Sequence, residues 1–505
     1  MSDLHARTAA LSPEVRALLL RRLAAERAQN AEPGEQGLVT GPVPLIPAQK
    51  KVFMMFERYG LDPSFFNSTS LRRVKRRLAS EILERAVAAL LLHHDALRIR
   101  YRRDDAGWTQ TIMPPDDRVP FQVVDLSDVA AEGRAGAISA GIREVQTSLD
   151  VREGPLMRVA LFEMGAGEPQ RLLAVVHHLI SDAHTMSIVI EDLRTAYQSL
   201  ERGEEVRLPP KTTSIKRWAE RLAAYADSPA FQSEVDYWFR LPWDEVRPLP
   251  VDHPTAATDR PSPRLLPAEL GVEDTEALTA VVAAPDNPMN MLDLLHAALL
   301  HALHPWTRSR AMVLVPLTHG RDAILPGLSL ARTVGWFTVQ PNLLFSFEPD
   351  ESLADTLLRV TQQRLDVPTG GIGFELLRYG IQDPELTARV RGLPGAQISL
   401  DYVGPVGGSY FAPDSRHHDV FEQADEMVGD TSALPRMWHS DVPVIQGRIV
   451  DGQLKLGWNY CQRAYDAESM EPVVQRFEAT LRELASVCRS DGGLGRVGGQ
   501  APNAW

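Results

Sequence analysis

The chain has 505 residues, 44% of them hydrophobic, and a formal net charge of −13. That length corresponds to two or three domains and allows a large core without staples. The acidic balance excludes nucleic acid as the main partner. The two cysteines, Cys461 and Cys488, exclude a disulfide framework and a CxxC metal motif, and no apolar run is long enough to span a bilayer. A cytoplasmic location fits this cysteine usage and an N-terminus without a signal-peptide core.

In chain order, residues 12–27 read as an amphipathic helix, with Ser12 as N-cap and Pro13 at the first helical position. A Gly/Pro/Glu linker follows at 31–44. Apolar residues at helical spacing predict a helix from Ser80 to His93, and Leu97, Ile99 and Tyr101 alternating with arginines predict a strand. Residues 156–163 and 172–176 read as buried strands, and 184–198 as a helix. The polar stretch 201–214 is the expected boundary between two lobes.

The second half repeats the alternation. A helix is expected after Met291, then strands at 312–316, 339–345, 397–402, 447–450 and 454–460. Asp451-Gly452 between the last two is a hairpin signal. A final helix at 466–486 precedes a Gly-rich tail. The expected organisation is an N-terminal helix and linker (1–43), an N-terminal lobe (44–208), a C-terminal lobe (209–488) and a flexible tail (489–505).

The sharpest feature is LLAVVHHLISDAHTMSIVIEDL, residues 172–193. A buried strand ends in His177-His178, and Asp182 follows four residues later, before a helix. A rigid strand end presents polar groups well, and histidine moves protons near neutral pH. Adjacent strand histidines point to opposite faces, so they do not chelate one ion together. His184 and Asp182 add no HExxH-type spacing, and no metal is expected. The bland alternative is a pair of strand-end histidines satisfied by backbone groups.

HHLISDA resembles the HHxxxDG motif of condensation domains in nonribosomal peptide synthetases, members of the chloramphenicol-acetyltransferase-like superfamily. Further similar blocks follow in order over residues 44–485: PLIPAQKKVFMMF, HHDALRIRY, GPLMRVALF, HGRD, ARTVGWFTVQPNLL, SLDYVG and the hairpin at 447–460. The resemblance implies an α/β fold of two lobes, a V-shaped pseudo-dimer with mixed sheets flanked by helices. It implies a tunnel at the lobe junction that admits a phosphopantetheine arm on a partner carrier protein, and no cofactor of the enzyme's own. The implied reaction transfers the acyl group from that thioester to a small-molecule amine or alcohol.

By the same resemblance His178 is the catalytic histidine, and His177 and Asp182 support the site. Arg321 is the expected partner of Asp182, because a buried carboxylate needs one. Ala183 and Trp336 are expected to contact the donor arm. Ala183 replaces the motif's glycine, which narrows the tunnel or strains a positive-φ backbone.

His93-His94 and His417-His418 read as structural or surface pairs. The basic residues of 72–77, with Arg98, Arg100, Arg102 and Arg103, read as solvent-facing strand positions or as a patch for an acidic carrier protein. The blocks VGWFT and GIGFELLRYG look more like epimerisation domains, which use a glutamate in a block written EGHGR. Here that block is Leu317-Thr318-His319-Gly320-Arg321, and leucine cannot move a proton. A coenzyme A-dependent acyltransferase and a silent docking module are further alternatives. No adenylation or carrier motif occurs, so a freestanding, monomeric enzyme served by a separate carrier protein is expected.

Overall fold

The computed structural model describes residues 33–489, except 166, 255–261, 285–286, 322–324, 349, 382, 406–419 and 425–441. The helix expected at 12–27, the pair His417-His418 and the tail lie outside the described residues.

Fourteen strands, β1–β14 in chain order, form three sheets among the described residues. A small sheet has the order β1 (Gly41–Val43), β4 (Gly107–Ile112), β3 (Ile99–Asp104). A five-stranded sheet has the order β12 (Phe421–Gln423), β2 (Asn67–Val74), β7 (Arg171–His177), β6 (Met157–Glu163), β5 (Phe121–Asp125). A six-stranded sheet has the order β10 (Leu343–Ser346), β9 (Ala311–Pro316), β11 (Ile398–Pro405), β13 (Val444–Val450), β14 (Gln453–Cys461), β8 (Pro263–Glu269). Both larger sheets mix parallel and antiparallel pairs, and helices pack on them. No helix is long and apolar enough to cross a membrane among the described residues.

Local sequence explains the elements that frame the centre. The helix Pro47–Tyr59 starts with Pro47 at its first position, where the missing N–H costs nothing, and ends at Gly60 with φ +63. Its buried Val52, Phe53 and Phe56 face the core at helical spacing. β7 is buried at every position after Arg171, and β9 at every position, so both read as continuous apolar runs. Asp451, at φ +50, and Gly452 make the turn between β13 and β14.

Three expectations need correction. The strand expected at 339–345 is only Leu343–Ser346; Val339 makes an isolated bridge to Thr318, and Pro341 has no N–H to continue the ladder. Arg98 does not face solvent. It closes a 3-10 turn, Asp95–Arg98, and is buried, donating to Asp95 and to the carbonyls of Leu91, Val39 and Met113. Finally, β12 comes from the second half of the chain but pairs with β2, so a cut at residue 208 does not separate the sheets cleanly.

Trp458 on β14 is fully buried and meets the Phe477 ring of the last helix, Ala467–Arg489, edge-on at 5.4 Å. Trp458→Ala is expected to lower stability by roughly 3–5 kcal/mol, read as a lower midpoint in urea unfolding.

Candidate functional site

β7 delivers its last residue, His177, into the interior. The His177 ring is fully buried, and its Nε2–H donates to the Pro63 carbonyl at 2.7 Å. Its Nδ1 accepts from the Leu179 N–H at 3.1 Å, which fixes the tautomer. Burial lowers its pKa to about 4, so the ring is neutral and braces the turn.

His178 begins that turn, and its backbone N–H donates to the Phe66 carbonyl at 2.8 Å. Its ring stacks on Phe66, with centroids 4.4 Å apart and planes at 10°, and meets the Trp336 edge at 4.9 Å. Phe66 comes from the first half of the chain and Trp336 from the second. Nδ1 is buried with no hydrogen-bond partner among the other described residues, whereas Nε2 is the ring nitrogen left to the adjoining cavity. Burial lowers the His178 pKa, against the opposing pull of its own backbone and of the Asp182 charge.

Asp182 caps the helix Ala183–Glu201, accepting from the Thr185 N–H at 2.7 Å. Both carboxylate oxygens also take Arg321 Nη2, at 2.8 and 3.0 Å, and Oδ2 takes the Phe337 N–H at 3.2 Å. Each side chain of the pair is only 4% exposed. Arg321 Nη1 donates to the carbonyls of Leu330 and Thr333, both at 2.7 Å, and Thr185 Oγ1 donates to the Gly335 carbonyl at 2.8 Å. Gly320, at φ +60, lets the chain turn before Arg321, and a methyl there would collide with the Phe337 carbonyl. The helix cap is thus also a clamp between the two halves.

Next to His178 lies a cavity of about 770 Å³. Ala183 and Trp336 line it, as do Leu317, His184 and His319. Ala183 is the first residue of its helix and is absent from the residues with positive φ, so its methyl narrows the space without backbone strain. The strain considered from the sequence does not arise. The His184 and His319 rings are 5.1 Å apart, and burial with the nearby Arg321 charge lowers the His184 pKa to about 4.

Sequence reasoning missed two parts of this cavity. Lys51 on the helix Pro47–Tyr59 donates to Gln340 Oε1 at 2.6 Å, and the Gln340 N–H donates to Glu375 Oε1 at 3.0 Å. Burial lowers the Lys51 pKa and raises that of Glu375. Asp401 on β11 also lines the cavity. Glu375 sits inside GIGFELLRYG, read as epimerisation-like, and Asp401 inside SLDYVG, read as a block of family resemblance; the available signal was an acid interrupting an otherwise apolar or aromatic run.

The other expected groups are used elsewhere. His94 Nε2 lies 2.9 Å from Asp192 Oδ2, and Arg332 pairs with both Asp192 and Glu191. His93, His94 and Asp192 have ligand atoms close enough for an ion, but Arg332 already neutralises that carboxylate. Arg73 and Lys75 pair with Glu422 on β12, Arg76 with Glu201, Arg77 with Glu163 and Arg103 with Glu57.

The family model for the condensation domain matches residues 39–492. The chain belongs to the condensation-domain family. This condensation domain is 37% identical over 452 residues to a linear gramicidin synthase of Brevibacillus parabrevis, covering 89% of the chain but 8% of that relative. It is 30% identical to surfactin synthase subunit 2 of Bacillus subtilis (strain 168), covering 92% of the chain and 12% of the relative. The chain therefore spans only a small part of the curated relatives it matches. Among solved structures, the epimerization domain from the third module of tyrocidine synthetase B matches with TM-score 0.77 and 29% identity, over 90% of this chain and 99% of that one. The starter condensation domain of rhizomide synthetase shares the fold, with TM-score 0.65 and 17% identity over 88% and 95%. The condensation-domain fold follows.

Arg321→Ala leaves the Asp182 charge buried and unpaired. It is expected to lower stability by roughly 3–5 kcal/mol, and Asp182→Ala in the same chain to recover part of that loss, as read by urea unfolding.

Proposed function

We propose that this condensation domain transfers an acyl group from a phosphopantetheine thioester on a carrier protein to an amine or alcohol, with His178 as the catalytic residue. The observation that carries this reading is the His178 ring, held between Phe66 and Trp336 with Nε2 open to a cavity walled by both halves of the chain. Transfer from a thioester is downhill, so the enzyme's task is to orient the two substrates and manage a proton. Neutral Nε2 takes the proton of the attacking N–H or O–H as the new bond to the carbonyl carbon forms. It returns that proton to the thiolate as the C–S bond breaks. His177 braces the turn, Asp182 and Arg321 hold the halves at a fixed separation, and Ala183 and Trp336 bound the donor arm. Arg58 and Arg378, exposed at the cavity rim, offer positive charge to the phosphodiester of that arm. In this reading a carrier protein delivers the donor, the enzyme works as a monomer in the cytoplasm, and it needs no cofactor of its own.

A second reading, epimerisation of a tethered aminoacyl group, is favoured by the likeness to the tyrocidine epimerization domain. Against it stands Leu317, at the position where that chemistry uses a glutamate. The two readings separate in deuterated buffer with an acyl-loaded carrier protein or the matching coenzyme A thioester. Loss of the acyl mass only with enzyme and acceptor supports transfer. A gain of one deuterium with the acyl group retained supports epimerisation.

His178→Ala is expected to slow transfer by roughly 10²–10⁴-fold. Because burial lowers its pKa from 6.5, His178 stays neutral as the pH falls below 6.5 and is lost as a base only at lower pH. The acid limb of kcat/KM is therefore expected below pH 6.5, and His178→Ala to lack it.

A further inference from the structure

In the extended segment that leads into β10, Trp336, Thr338, Gln340 and Asn342 line the cavity, while Phe337, Val339 and Leu343 are buried in the core. Side chains alternate as in a strand, so Gln340 looks into the same space as Trp336, roughly 13 Å further along the chain. The helix Pro47–Tyr59 brings Lys51, Met55 and Arg58, at successive turns, to that space. Lys51 is half-buried, and its Nζ donates to Gln340 Oε1 at 2.6 Å. An ammonium only donates, so this contact fixes which end of the Gln340 amide is oxygen and turns its NH2 away from Lys51. That NH2 has no hydrogen-bond partner among the described residues and is not sealed in the protein, which leaves it to the cavity. Lys51 keeps further N–H donors and makes no ion pair among the described residues. Glu375 acts on it only through its field: Oε1 takes the Gln340 N–H at 3.0 Å, and Oε2 is sealed. Burial lowers the Lys51 pKa; the Glu375 charge opposes this and the Arg378 charge adds to it.

A half-buried cation whose only hydrogen-bonded partner is neutral is costly, and a ligand carbonyl would fill its donors without balancing its charge. A carboxylate does both: one oxygen takes Lys51 Nζ and the other the Gln340 NH2, a planar group against two donors on one wall. We propose that Lys51 and Gln340 form a subsite for a carboxylate carried by one of the two reacting substrates. This rests on the acyl-transfer reading and names a substrate class for it. Two sources carry that chemistry. An acceptor with a free carboxylate is an untethered amino or hydroxy acid, because an acceptor held on a carrier has that carboxyl bound as its thioester. A donor with a free carboxylate is a dicarboxylic acyl group. In both cases the carboxylate takes no part in bond making and leaves with the product. The phosphodiester of the arm is a separate anion, met at the rim by Arg378 and by Arg58, which lies roughly 10 Å along the helix from Lys51.

Free α-amino and α-hydroxy acids differ from their primary amides only in carboxylate against carboxamide. A panel of such pairs, with small, apolar, aromatic and polar side chains, titrated calorimetrically into the full chain, reads the acceptor. Malonyl-, succinyl- and glutaryl-coenzyme A, each against a monocarboxylic thioester of matched length, read the donor. The wild type is expected to bind the acid of at least one pair about 10–100-fold more tightly than its neutral partner. Lys51→Met is expected to lose that preference and Lys51→Arg to keep part of it. Gln340→Glu, which sets a carboxylate of the protein's own beside Lys51, is expected to lose it as well. Preference in the first panel assigns the carboxylate to the acceptor, and preference in the second assigns it to the donor. No preference in either panel, or one that survives Lys51→Met, overturns the proposal. An equal loss of affinity for phosphopantetheine in Lys51→Met also overturns it, because Lys51 then serves the arm. Thermal unfolding of the variants separates lost recognition from lost folding, and the wild-type panels stand even if a variant fails to fold. With an acyl-loaded carrier protein in deuterated buffer, transfer that is indifferent to a carboxylate on both substrates overturns the Lys51 assignment alone. Deuterium uptake at Cα with the acyl group retained overturns the transfer reading itself, whatever the panels show.

Discussion

The bidentate pair between Asp182 and Arg321 sets the separation of the two halves at the site. Asp182 belongs to a helix that begins directly after the histidine turn, and Arg321 to the loop after β9. Each is satisfied by more than its partner. Asp182 takes the N–H groups of Thr185 and Phe337, and Arg321 donates to the carbonyls of Leu330 and Thr333. A buried ion pair bonded on so many sides, with Arg321 Nε left without a partner among the described residues, gives geometric definition more than net stability, because desolvation offsets much of the Coulombic gain. Here the definition matters: Trp336 lies in the segment this clamp holds, and its edge meets the His178 ring.

From that clamp the chemistry of His178 follows. One face of its ring is stacked on Phe66 and its Nδ1 is sealed, so Nε2 is the nitrogen left to the cavity. Burial lowers its pKa and so keeps the ring neutral. The neighbouring His177 is equally buried but spends both nitrogens on the backbone. Two adjacent histidines thus take different roles because a strand end turns their side chains to different surroundings.

The cavity is electrically divided. Its helical side holds Lys51 and Glu375 in one buried chain of contacts through Gln340, with two arginines at the rim. Its sheet side holds one carboxyl, Asp401, beside Leu317. A leucine where epimerisation chemistry needs a carboxylate removes one proton-transfer group, while the acid on the next strand supplies negative charge from a different direction. That rearrangement bears on substrate choice as much as on reaction type, since charge on a cavity wall selects the ligand that can neutralise it.

The sequence by itself determined the elements whose physics is local. The apolar runs of β7 and β9, the Asp451-Gly452 hairpin and the helix following Asp182 are legible because periodicity and turn chemistry act over a few residues. The His177-His178 turn and the candidate partner Arg321 were legible through ordered motifs. Only the tertiary structure decided what depends on contacts between distant segments. β12 joins a sheet built from the first half, Arg98 turns inward to Asp95, and Asp401 comes to stand beside Leu317. Strand pairing across 84 residues and the burial of a single carboxyl leave no periodic trace, because each is set by which surfaces meet when the sheets assemble.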